Sequence, residues 1–141
     1  MSTQPLPPQP SQTVLSEEEC WELLAGRTTG RLATSVAGEP EIFPVSYAVA
    51  DHNIYLRTKP GTKLAEITIS PRVAFEADEI GDESSWSVVL KGRAQALRNE
   101  RDIEAAQATG LVSYLEDGKT EWIRIQPSEI SGRRLVAGDL R

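Results

Sequence analysis

One cysteine and one histidine stand in 141 residues. A lone thiol, Cys20, excludes an internal disulfide framework and any thiolate zinc site, because both need several sulfurs at fixed spacing. With His52 as the single imidazole, most other metal clusters are excluded as well. No apolar stretch approaches the roughly 20 residues of a bilayer span, and no basic opening leads into an apolar run with a cleavage site. The expectation is a soluble, cytoplasmic chain with no membrane partner. Lys plus Arg number 15 against 21 Asp plus Glu, a formal charge of -6. Such a chain lacks the excess of cations that displaces counterions from nucleic acid, so no nucleic-acid partner is expected. A local basic pocket for one small anion is still allowed.

Catalytic motifs are absent too. There is no G-x-S-x-G, no G-x-G-x-x-G and no G-x-x-x-x-G-K-[ST]. Glu17 to Glu19 and Asp82-Glu83 read as charged, solvated faces. Cys20 falls on the packing side of a short helix and reads as a small buried hydrophobe, and His52 reads as a solvated turn residue. No catalytic residue is assigned. If the protein is an enzyme, a bound cofactor carries the hard chemistry.

The length suits one domain that buries roughly two thirds of its unfolded surface. Residues 1–13 hold Pro5, Pro7, Pro8 and Pro10 among Ser, Thr and Gln, and read as a disordered tail ahead of a domain over 14–141. Ser16 with Glu19 forms a capping box that starts a helix ending near Gly26. The period then becomes strand-like, with strands expected over 30–36, 41–50 and 54–58, joined by turns at Gly38 and at Asp51-His52-Asn53. A helix over 62–69 and strands over 72–78 and 86–97 follow, then a polar helix near 99–109. Closing strands over 121–126 and 130–135 are interrupted by Pro127. Short strands joined mostly by tight turns indicate a mainly β fold, a small antiparallel barrel with two or three short helices.

One segment looks built for an anion. Leu56-Arg57-Thr58-Lys59-Pro60-Gly61-Thr62-Lys63 places a strand end, a glycine turn and a helix start in succession. Arg57, Thr58, Thr62 and Lys63 would add charged and hydroxyl donors to the positive end of the helix. Pro44, inside a strand, donates nothing to a ladder and implies an edge or a backbone that faces a ligand.

Gly30-Arg31-Leu32-Ala33, Glu41-Ile42-Phe43-Pro44-Val45-Ser46-Tyr47, Leu56-Arg57-Thr58, Gly61-Thr62-Lys63-Leu64-Ala65, Arg72-Val73-Ala74-Phe75-Glu76, Trp86-Ser87-Val88 and Lys91-Gly92-Arg93-Ala94 together resemble the pyridoxamine 5'-phosphate oxidase-like family, in order and spacing. The resemblance implies a six-stranded split β-barrel that dimerises, with FMN in grooves between two copies. It implies that Arg57, Thr58, Thr62 and Lys63 hold the phosphate. Pro44, Val45, Ser46 and Tyr47 would line the ring, largely through backbone groups, and Trp86 would approach it near the interface. The implied activity is two-electron transfer through FMN to a small organic substrate. Where the family often has two adjacent basic residues, Lys63 is followed by Leu64, which argues against oxidation of vitamin B6 phosphates. Two alternatives stay open: an F420-dependent reductase of the same fold, and a non-enzymatic flavin-binding or interaction module.

Overall fold

Alternating apolar residues on successive strands fix which way each strand faces, and in the computed structural model they face a common interior. The structure describes residues 12–111 and 121–136. In chain order the elements are β1 (Gln12–Val14), α1 (Glu17–Ala25), β2 (Thr29–Val36), β3 (Glu39–Ala50), β4 (Asn53–Thr58), α2 (Thr62–Ile69), β5 (Arg72–Ile80), β6 (Ser84–Ala96), α3 (Glu100–Gln107) and β7 (Glu121–Val136). The strands run β1-β7-β4-β3-β2-β5-β6, and β6 also pairs with β7. That last pairing closes the expected antiparallel barrel, and the short β1 adds to it along β7.

Inside lie Leu32, Ile54, Leu56, Phe75, Val88, Leu90, Ile123 and Ile125, all essentially without solvent contact. The capping box forms as read from the sequence: the Glu19 N–H donates to Ser16 Oγ at 3.2 Å, and the Ser16 N–H donates to Glu19 Oε1 at 3.1 Å. It sets the entry angle of α1, which buries Cys20, Trp21 and Leu24 against the barrel. Helix α2 buries Ile67, and Thr34 Oγ1 of β2 donates to Glu66 Oε2 at 3.2 Å. Helix α3 packs on the outside, where Ala106 joins Tyr55, Leu97 and Trp122 in a second apolar cluster.

Two details depart from the sequence reading, and a third adds to it. Gln12 and Thr13, placed in the disordered tail, pair with Leu135 and Arg134, while the rest of that tail lies outside the described residues. The closing segment is one strand rather than two: Pro127 keeps its place opposite Gly92, and the register slip between Lys91 and Gly92 leaves Ser128 as the extra residue of a bulge. His52 stands exposed in its turn, as read, and its surroundings add detail. It and Asp51 hold positive φ angles of 56° and 50°, and its ring stacks on Trp21 at 4.8 Å.

Gly92 sits where β6 crosses closest to β7. A Cβ there would lie 2.2 Å from the Gln126 carbonyl oxygen, and backbone cannot yield as a flexible side chain does. Gly92→Ala is therefore expected to cost about 3 kcal/mol, read as a lowered urea midpoint with an unchanged slope.

Candidate functional site

The feature that makes a site is where strand pairing stops. Strand β3 pairs with β2 from Glu39/Val36 to Ser46/Thr29, but with β4 only from Tyr47/Leu56 to Ala50/Asn53. Beyond that point β4 stays attached to β7 through Arg57/Trp122 and Thr58/Glu121. The barrel is thus split between residues 44–46 on one wall and Arg57 with Thr58 on the other.

Backbone direction along that wall follows from one bond. The Tyr47 N–H donates to the Thr28 carbonyl at 3.0 Å, which makes this a hydrogen-bonded pair. Such pairs alternate with non-bonded ones in an antiparallel ladder, so Val45 faces Gly30 with its polar groups while Ser46 and Pro44 turn their carbonyls away from β2. Those carbonyls look into the split. Pro44 is tolerated because the nitrogen that cannot donate also points there.

Across the split, Gly61 starts α2 with φ at 150°, a conformation that side chains disfavour. The helix has no side-chain cap and no acidic residue in its first turn, so its orphan N–H groups and positive dipole end are not neutralised locally. Arg57 is half-buried with its guanidinium 4.9 Å from the Trp122 ring centroid. Lys63, also half-buried, holds its Nζ 4.9 Å from the Phe43 ring centroid. The two cations therefore rest on aromatic faces of different strands, β7 and β3. Carbonyl acceptors on β3, Arg57 at the end of β4, and Lys63 with the N–H groups of the α2 start are the acceptor and donor types that a planar, phosphate-bearing group such as a flavin nucleotide takes.

Not every residue expected at the site faces it. Val45 and Tyr47 alternate into the core instead. Tyr47 is buried, meets Phe75 edge-on at 4.8 Å, and donates its hydroxyl to the Leu24 carbonyl at 2.5 Å. Burial pushes its phenol up to about 12. Trp86 is also core, opposite Glu79 and Arg134. Along β7, Arg134 is far from Trp122, which neighbours Arg57. Within one chain, the Trp86 ring is a packing residue. Thr58 turns inward, its Oγ1 donating to the Lys59 carbonyl at 3.3 Å. Thr62 opens α2, but its side chain lies outside the described ones.

The sequence reading missed two features. A cleft of about 280 Å³ adjoins Ser46 and runs past Ala48 and Val49, between Arg27 and Thr28 after α1 and Leu111 after α3. An arginine just past a helix end carries no motif by which it could have been singled out. Beside Pro44, Arg31 Nη1 donates to Glu76 Oε1 at 2.6 Å and to Asp78 Oδ2 at 3.2 Å. Residues two apart on a strand share a face, and that spacing was the available signal.

Comparison with known proteins identifies relatives of the chain and of its fold. A profile of the pyridoxamine 5'-phosphate oxidase family matches residues 16–134. The structure of an FAD-binding protein from Mycobacterium smegmatis is 39% identical, with 88% of this chain and 98% of that one covered and a TM-score of 0.78. An FAD-binding protein from Mesorhizobium loti is 28% identical, covers 90% and 98% of the two chains, and superposes with a TM-score of 0.80. An uncharacterized protein of Rhizobium meliloti is 31% identical over 124 residues, 84% of this chain and 82% of its own length.

The paired carboxylates beside Pro44 give a pH dependence. Burial first, then a hydrogen bond with Asp78, pushes the Glu76 carboxyl from 4.5 up to about 7 despite Arg31. In that window the folded chain holds a proton that the unfolded chain releases. The contribution to stability is complete below the unfolded value and is lost as pH rises through the folded one. Glu76→Gln should flatten this part of the stability profile, measured by urea unfolding at stepped pH.

Proposed function

The chain belongs to the pyridoxamine 5'-phosphate oxidase family, and from that membership we propose that it is a flavin-dependent oxidoreductase acting on a small organic substrate. The observation that supports the reading is the split itself, where β3 and β4 part beside the carbonyls of Pro44 and Ser46, with Arg57 at the end of β4 and an uncapped helix start a few residues on. Arg57, Lys63 and the first turn of α2 would hold the phosphate, with Thr58 and Thr62 beside them. The carbonyls of Pro44 and Ser46 would accept from the polar edge of the ring. Val45 and Tyr47 keep that wall in place from the core side. Bound there, the flavin supplies the two-electron chemistry that the side chains lack.

FMN and FAD share the ring and the first phosphate, so the same donors serve either one. The family resemblance favours FMN, whereas the named function of two similar structures favours FAD. We read the working form as a cytoplasmic homodimer. The outer faces of β3 and β6 leave Ile42 67% and Val89 37% exposed, apolar surface suited to a second copy. That copy would also bring in residues distant from the split within one chain.

Purified protein should show the two visible bands of a flavin, and the pigment released on heating should co-elute with FMN or FAD; a single band would indicate F420. Arg57→Ala and Lys63→Ala should each weaken flavin binding by about 1.5 to 3 kcal/mol, or roughly 10- to 150-fold, with circular dichroism unchanged. Native affinity in both variants would remove the phosphate assignment. Flavin reduction by NADH or NADPH with turnover of an acceptor separates an oxidoreductase from a carrier or sensor.

A further inference from the structure

The cleft beside Ser46 is independent of the phosphate donors yet shares a residue with the wall of the split. Its volume, about 280 Å³, lies at the small end of ligand pockets. Ala48, Val49 and Leu111 give it apolar surface, while Arg27 supplies a cation. The partner of Arg27 is weak: Glu79 Oε2 stands 3.7 Å away, and the side chains are 42% and 56% exposed. A pair so solvated contributes little and yields readily to a better-placed anion. Arg27 lines the cleft while remaining solvent-accessible, and its charge is near enough to the Tyr47 hydroxyl to oppose the effect of burial there. The hydroxyls of Thr28 and Ser46 make no hydrogen bond among the described residues.

We propose that this cleft is the substrate subsite and that it takes a small organic carboxylate, the carboxylate on Arg27 and the apolar body against Ala48, Val49 and Leu111. The word substrate rests on the flavin reading, while binding of the carboxylate does not. A carboxylate set in the fork of Arg27 gains charge-assisted hydrogen bonds that a neutral amide of the same shape does not. The apolar lining alone would hold acid and amide equally. Discrimination between them therefore reports on Arg27.

The test uses benzoate and benzamide as probes, titrated by calorimetry into the protein as purified and again after flavin loading. Benzoate is expected to bind about tenfold tighter than benzamide. Arg27→Gln should abolish that preference and Arg27→Lys should keep part of it, both with flavin affinity unchanged. With flavin bound, benzoate should also perturb the visible spectrum of the ring, since Ser46 borders both spaces. Equal affinity for the two probes, absence of binding at millimolar benzoate, or a preference that survives Arg27→Gln would overturn the proposal. Failure of the flavin reading shows separately, as protein that takes up neither FMN nor FAD while the benzoate titration still reports on the cleft.

Discussion

The early parting of β3 from β4 is the constraint on which the site depends. Each strand is secured on its outer flank, β3 by β2 from Glu39 to Ser46 and β4 by β7 to its end, so the seam between them opens without loosening the barrel. Opening it leaves backbone carbonyls at Pro44 and Ser46 without a strand partner, and such groups must be satisfied by water or by a ligand. Two prolines in a twelve-residue strand, Pro40 and Pro44, are compatible with pairing to β2 because both occupy positions whose nitrogen points away from it. Proline there also discourages another strand from adding to the edge, so the opening stays available to something other than protein backbone.

Period-two alternation then divides consecutive residues between two tasks. Pro44 and Ser46 face the split and the outer surface, whereas Val45 and Tyr47 anchor the same stretch from within. The Tyr47 bond to the last turn of α1 ties the capped helix to the wall of the split, and its partner Phe75 ties that wall to β5. A side chain buried in the core thus decides where the backbone of that wall sits. This is why a strand segment can be functional as a whole while only half of its residues meet the bound molecule.

How much of this was legible in the sequence depends on what kind of information each residue carries. The helix start at Ser16, the glycine turn before α2 and the edge implied by Pro44 were readable because each rests on a local rule of backbone geometry. The destinations of Tyr47 and Trp86 were not. An aromatic residue announces a large apolar surface, and the same surface suits a core or a flat cofactor; only strand phase decides between them. The short pairing of Gln12 to Val14 was hidden for another reason, since a polar strand of three residues is held by its partner rather than by its composition. The alternate resting places of Arg57 and Lys63 were equally invisible, because they depend on Trp122 and Phe43, distant in the chain.

Net charge says little about this site, because the positive potential is made by placement. The chain is acidic overall, and among the described residues several cations are paired with carboxylates: Arg31 is held by Glu76 and Asp78, Arg98 by Glu121, Arg124 by Asp102 and Lys91 by Glu129. Helix α1, by contrast with α2, fills its first turn with Glu17, Glu18 and Glu19, so its positive end is spent on the protein's own carboxylates. Two helices of similar length therefore present opposite electrostatic ends to solvent.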